Sequence, residues 1–318
     1  MAGGRKVTVV GAGNVGSNTA RRIAEKNLAD EVVMTDIVEG LPQGLALDIN
    51  QSAPVERFEA HVVGTNDYKD TADSDVVVIT AGLPRKPGMS RMDLLDANSE
   101  IVGGVTEQIA EHSPDCVLVV VSNPLDEMTY LASLVSGFPK ERVMGMAGVL
   151  DSSRLKFFIA EKLNVEPTSV EAITLGSHGD QMVALPRHAT VEGKPLPELA
   201  DEKTLEELFR RTRDGGAEIV GYLKKGSAFY APSSSAASMV NSILSDDDTV
   251  HPTCAWTSGH YGISDVYLGV PAKLGRGGVR EIVELDLNDA ELTQLNGAAE
   301  AIRSKCQELA ERRSQKGS

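Results

Sequence analysis

The strongest constraint on this chain lies at its beginning. The apolar stretch Lys6–Val10 runs into Gly11-Ala12-Gly13-Asn14-Val15-Gly16, and a helical pattern over Asn14–Lys26 follows at once. A buried strand that turns through three glycines into a helix leaves few architectures open. Gly11 permits the tight turn, Gly13 lets backbone approach a pyrophosphate, and Gly16 lets helix and strand pack closely. The helix N-terminus then supplies partial positive charge without a lysine. The next apolar stretch, Glu31–Asp36, ends on Asp36, 20 residues after Gly16. At that spacing a carboxylate meets the ribose hydroxyls of a dinucleotide, and it repels a 2′-phosphate, which favours NAD over NADP. The plain alternative is a glycine turn beside an exposed acid.

Further along, His61–Gly64, Asp75–Thr80 and Cys116–Val121 are short and mostly rich in Val and Ile, as strands covered on both faces should be. With helix candidates between several of them, notably Asn14–Lys26 and Asn98–His112, they predict right-handed crossovers and a doubly wound parallel sheet. The Gly-rich stretch at Met146–Val149 marks the expected boundary, giving domains 1–147 and 148–318. The second half mixes elements differently. A helix is expected from about Asp151, with Asp151 and Ser152 as candidate caps. Strand-like pieces at Glu171–Leu175 and Met182–Leu185 follow, then helices over Thr204–Lys225 and Ser234–Leu244. In the last helix Leu292, Leu295, Ala299, Ile302, Cys306 and Leu309 recur at three- and four-residue steps, a packing stripe, with a frayed polar tail after Arg312. The expected fold class is α/β: an N-terminal Rossmann-type doubly wound parallel sheet with a C-terminal α+β domain.

Composition narrows the function classes. The 46 acidic and 31 basic residues leave a net charge of −15, which argues against nucleic acid as a partner. No apolar run approaches the roughly 18–20 residues of a membrane span. The strand at Lys6–Val10 leaves no room for a signal peptide, and three scattered cysteines (Cys116, Cys254, Cys306) suit a reduced, cytoplasmic compartment. Neither they nor His61, His112, His188, His251 and His260 form a metal-ligand spacing, so no metal is expected. Against the net negative field, the segment from Thr80 to Arg91 carries Arg85, Lys86 and Arg91 within seven residues. Its position after a strand is where ligands bind in open α/β sheets, and a local cationic cluster is what an anion would need. A solvated loop accounts for it equally well on its own.

Three later motifs remove that ambiguity: Val121-Ser122-Asn123-Pro124-Leu125-Asp126, Gly148-Val149-Leu150-Asp151-Ser152-Ser153-Arg154 and Gly176-Ser177-His178-Gly179-Asp180. With the glycine turn and the cationic loop, they make the chain resemble the lactate/malate dehydrogenase superfamily over nearly its whole length. Within it, the chain is most similar to the lactate-dehydrogenase-like malate dehydrogenases of bacteria and archaea. The resemblance implies that His178 is the catalytic acid/base, a task an imidazole near neutral pKa can perform in both directions. It implies that Asp151 hydrogen-bonds and orients that ring. Arg154 is implied to hold the substrate's C1 carboxylate through a bidentate fork. Arg91 would polarise the reacting carbonyl, and Asn123 would contact both substrate and nicotinamide. Gly11 to Gly16 (Gly11, Ala12, Gly13, Asn14, Val15, Gly16), Asp36, Asn98, Val121, Ser122 and Asn123 fall at the cofactor site.

Arg85 bears on the substrate. The family carries Gln here in many lactate dehydrogenases and Arg in malate dehydrogenases. A second arginine pairs with a distal carboxylate, whereas against a methyl group it would be desolvated and unpaired. The implied reaction is reversible oxidation of (S)-malate to oxaloacetate with NAD, a tricarboxylic acid cycle step, in a homotetramer or a dimer. A lactate or other 2-hydroxy-acid dehydrogenase is the alternative within the family. A catalytically silent NAD-binding protein is the alternative outside it. Ser153 and Leu155 replace the commoner Ala and Phe around Arg154, and Ala228 stands where lactate dehydrogenases tend to have Thr. A serine-hydrolase reading of Ser177 beside His178 fails for want of a nucleophile elbow.

Overall fold

The computed structural model describes residues 4–84 and 90–316. The first half builds β1 (Lys6–Val10), α1 (Asn14–Glu25), β2 (Glu31–Thr35), α2 (Leu41–Glu56), β3 (His61–Thr65), β4 (Val76–Ile79), α3 (Arg91–His112), β5 (Val117–Val120), α4 (Leu125–Ser136) and β6 (Val143–Gly145). The six strands are parallel and lie in the order β3-β2-β1-β4-β5-β6, so the order reverses between β1 and β4. Strand periodicity divides their side chains between two cores. Val76 and Val78 join α1 and α2 on one face, while Val77 and Ile79 join α3 and α4 on the other. That two-sided burial is why the strands read as continuous Val/Ile runs.

The second half comprises α5 (Gly148–Leu163), β7 (Val170–Glu171), β8 (Thr174–Gly176), β9 (Met182–Ala184), β10 (Thr190–Val191), β11 (Lys194–Pro195), α6 (Glu202–Leu223), α7 (Tyr230–Ser245), β12 (Val250–Ser258), β13 (Ser264–Gly275), β14 (Gly278–Ile282) and α8 (Asp289–Lys316). Its strands pair antiparallel, as the α+β expectation requires. They also extend the first sheet, because β12 pairs with β6 through Cys254 and Gly145. The result is one sheet of 11 strands, with β11-β10-β7 as a separate small sheet. The final helix buries Leu295, Ala299, Ile302, Cys306 and Leu309 as its stripe demands.

Four local expectations are corrected. The helix expected from Asn98 starts at Arg91, because Ser90 and Asp93 form a reciprocal capping box that holds the earlier turns. Asp151 and Ser152 are not caps: α5 opens at Gly148, and the Asp151 N–H already donates to Ala147 O at 2.9 Å. Glu171–Leu175 is not one strand but β7 and β8, which belong to different sheets. The last helix does not fray straight after Arg312 but continues to Lys316. The Arg312 side chain pairs with Asp96 at 3.2 Å and Glu308 at 3.3 Å, and Arg313 donates to Ser99 O at 3.2 Å.

Candidate active site

At the carboxyl ends of β1 and β4, the glycine turn is built of backbone. Gly11 adopts φ +99°, and a Cβ on Gly16 would stand 1.8 Å from Gly11 O, so no side chain fits there. A Cβ on Gly13 would meet nothing within 4 Å, and the N-terminus of α1 has no side-chain cap. The first amides of α1 therefore face open space that would suit a pyrophosphate. Asp36 folds back on this turn: its carboxylate accepts from Ala12 N–H at 2.7 Å and from Val38 N–H at 2.9 Å. A dinucleotide fits what is present, with free helix amides for phosphate and an anchored carboxylate at the strand end for ribose.

The β4 and β5 ends form the neighbouring wall. Ser122 donates to Ala81 O at 2.5 Å, and Asn123 precedes a cis peptide to Pro124. Asn98 reaches this wall from α3, but its side chain is occupied: it accepts from Leu83 N–H at 2.7 Å and donates to Asn123 O at 2.5 Å. It ties two site loops together and is almost fully buried.

Behind this wall opens a cleft of about 300 Å³. Asp151 and Arg154 lie three residues apart on α5 and so share one face. His178 sits in the loop after β8, with Nδ1 2.8 Å from Asp151 Oδ2. That contact sets the Nδ1–H tautomer and leaves Nε2, which no described group engages, for a substrate hydroxyl or carbonyl. The Asp151 carboxylate beside the ring raises the His178 pKa against the opposing effect of burial. Arg154 touches Asp151 Oδ1 at 3.4 Å. Burial is the largest influence on its guanidinium and lowers its pKa, while Asp151 opposes that effect. Its Nε is buried with no partner among the described residues. A buried guanidinium with unused donors is costly unless an anion completes it, and a bidentate carboxylate is the matching shape.

Val15, Val121 and Asn123 line the cleft with His178, Asp151 and Arg154, so residues from both halves meet there. Arg85 lies outside the described residues, and of Arg91 only its place as the first residue of α3 is described. Sequence reasoning missed the contribution of α6. Arg213 and Gly216 line the cleft, and Gly215 lies against the stem of Arg154, where an added Cβ would come within 3.3 Å of Cδ. Adjacent glycines inside an otherwise amphipathic helix were the available signal, since such a pair weakens a helix unless something must pass close by.

Comparison with known proteins places this geometry in context. Residues 5–145 match the lactate/malate dehydrogenase NAD binding domain, and residues 148–312 match the lactate/malate dehydrogenase alpha/beta C-terminal domain. The malate dehydrogenase of Chloroherpeton thalassium is 53% identical over 304 residues, covering 96% of this chain and 98% of that protein. The malate dehydrogenase of Salinibacter ruber is 54% identical over 304 residues, covering 96% of each. A solved structure of malate dehydrogenase from Salinibacter ruber, at 50% identity, superposes with a TM-score of 0.94 over 98% of this chain and 100% of that one. The lactate dehydrogenase of Cryptosporidium parvum, solved with lactic acid and nicotinamide adenine dinucleotide, also reaches 0.94 at 39% identity, over 98% of this chain and 99% of that one. Backbone shape is thus shared by enzymes of different substrates, and substrate choice rests with side chains. No described helix is long and apolar enough to cross a membrane. This chain belongs to the lactate/malate dehydrogenase family.

Proposed function

We propose that the protein is an NAD-dependent malate dehydrogenase that interconverts (S)-malate and oxaloacetate. The observation carrying this reading is the juxtaposition, in one cleft, of the His178–Asp151 pair and the incompletely paired guanidinium of Arg154. When bound, NAD supplies the hydride acceptor; Gly11 to Gly16 and Asp36 hold its phosphate and ribose end, and Val121 to Asn123 flank its nicotinamide end. Arg154 takes the C1 carboxylate and fixes the substrate's C2 near His178. In the oxidation His178 Nε2 accepts the C2 hydroxyl proton, and the Asp151 carboxylate steadies the resulting imidazolium. In the reduction the imidazolium returns it. Arg91 stabilises negative charge developing on the carbonyl oxygen, and Arg85 pairs with the distal carboxylate. Asn98 acts through the loops that it ties together.

The dicarboxylate assignment is supported by Arg85, by Ala228 and by the names of the relatives. In the same reading residues 1–147 form the cofactor domain and 148–318 the substrate domain. The protein works in the cytoplasm as a homotetramer, or as a dimer, within the tricarboxylic acid cycle.

The test is NADH oxidation by the purified protein with oxaloacetate and pyruvate side by side, repeated with NADPH and with Arg85→Gln. Oxaloacetate should be preferred by a factor on the order of 10²–10³, NADH over NADPH, and the variant should move the ratio toward pyruvate. A pyruvate preference would overturn the substrate assignment, and an unchanged ratio in Arg85→Gln would remove that residue from it. Binding of NADH without turnover of either acid would favour a silent cofactor-binding protein.

A further inference from the structure

A second carboxylate bonds the backbone of the acid/base residue, and the mechanism above does not use it. Asp126, the second residue of α4, is 5% exposed. One of its oxygens, Oδ2, accepts from the backbone N–H of His178 at 3.3 Å. The other, Oδ1, accepts from Cys254 Sγ–H at 3.3 Å, the thiol of the residue that joins β12 to β6. Asp126 thus links three elements: α4 after the nicotinamide wall, the loop after β8 that carries His178, and the strand pair uniting the two halves of the sheet.

We propose that Asp126 is a positioning residue for His178, holding its loop through the backbone amide and, when ionised, setting a second carboxylate near the imidazole. This inference rests on the reading of His178 as the acid/base.

The surroundings support it. The charged and titratable groups facing Asp126 are Glu127 on its own helix, Cys254 on β12, Cys306 on α8 and His178 itself. Glu127 is met by Lys305 of α8 at 3.5 Å. Asp151 and Arg154 act on His178 from α5. Among the described residues, the backbone amide bonded to the Asp126 carboxylate is that of the acid/base residue. Burial, reinforced by Glu127, pushes the Asp126 carboxyl up to about 7. A carboxyl raised above its ordinary value stabilises the fold at low pH and loses that contribution as pH rises through about 7. The ionised form is therefore unfavourable for stability, which is expected of a group kept for function and not for packing.

The test uses the full chain labelled at histidine with ¹⁵N, the His178 signals being assigned by their loss in His178→Asn. Asp126→Asn keeps an oxygen for the His178 amide and removes the charge. Its His178 ring should titrate at lower pH than in the parent. The fall of kcat/KM for oxaloacetate reduction with rising pH should shift with it, by about tenfold on the alkaline side. Melting at pH 8 should be no lower than in the parent. Asp126→Ala also removes the acceptor and should lose on the order of 10- to 100-fold in kcat/KM at every pH, with NADH affinity unchanged. An unmoved His178 titration in folded Asp126→Asn overturns the proposal. If the ring titration moves while turnover does not, and His178→Asn remains active, the acid/base reading fails and the hold of Asp126 on His178 stands. Should neither variant fold, the parent decides. With ¹³C at the aspartate carboxyls, its Asp126 carboxyl signal and His178 ring signal should titrate interdependently, and an Asp126 signal indifferent to the His178 titration overturns the proposal.

Discussion

The two ends of the site are built from different materials. The end proposed for the cofactor is built from main chain: a turn in which Gly11 and Gly16 exclude side chains, uncapped amides of α1, and Asp36 anchored on Ala12 N–H. The end proposed for the substrate is built from side-chain charge: His178, Asp151 and Arg154 gathered from α5 and the loop after β8. A cradle of backbone is sensitive to added volume and indifferent to which polar residues surround it. A constellation of charges is sensitive to the loss of a single group. The same fold can therefore serve different substrates, as the equal TM-scores of a malate and a lactate dehydrogenase illustrate.

The largest effect expected to test this contrast is at His178. His178→Asn should lower kcat by about 10²–10⁴ while NADH affinity stays within a factor of about two, because the proton is lost and the cradle is untouched. Steady-state kinetics beside a fluorescence titration of NADH measures both, and a parallel loss of binding would erase the distinction between the two ends.

Two glycines sharpen it from the other side. Gly16→Ala forces a Cβ within 1.8 Å of Gly11 O and should lower both melting temperature and NADH affinity. Gly13→Ala meets nothing within 4 Å in the protein, so it should melt like the parent and weaken NADH by roughly tenfold or more, its methyl group intruding only on the bound pyrophosphate. Equal melting of the two variants would sink this reading of the turn.

The smallest effect is a matter of pH. Asp151 raises the His178 pKa above its ordinary value, and in the proposed mechanism oxaloacetate reduction needs the imidazolium. Its kcat/KM should be highest on the acid side and fall as pH rises through that raised value, at most about tenfold per unit. Malate oxidation should rise through the same point. Asp151→Asn should move both inflections to lower pH, and inflections that stay in place would detach the carboxylate from the proton's path.

How much of this was legible beforehand differs between the same two ends. The cofactor half is local: strand, glycine turn, helix and terminal acid follow one another within residues 6 to 36, so spacing alone specified the geometry that the fold then displayed. Strands β1, β4 and β5 were readable because burial on both faces leaves runs of Val and Ile, while the edge strand β3 is only partly buried. Helix α4 was not, since Leu125 to Ser133 is buried nearly all round and carries no stripe. The long hairpin of β12 and β13 was also missed, its polar and aromatic residues disguising two strands that pair from Val250 with Lys273 to Ser258 with Ser264.

At the substrate end, the motifs named His178, Asp151 and Arg154, and taken singly these residues read as a loop histidine, a cap and a surface charge. Only the tertiary structure brought Asp151 Oδ2 to 2.8 Å from a ring 27 positions away, buried Arg154 against the glycines of α6, and bonded Asp126 to the His178 amide. Sequence by itself determined what depends on neighbours along the chain: turn conformation, helix periodicity and the strand-end acid. Burial, desolvation and the meeting of charges from separate elements depend on neighbours in space, and those arise only when the two halves close into one sheet.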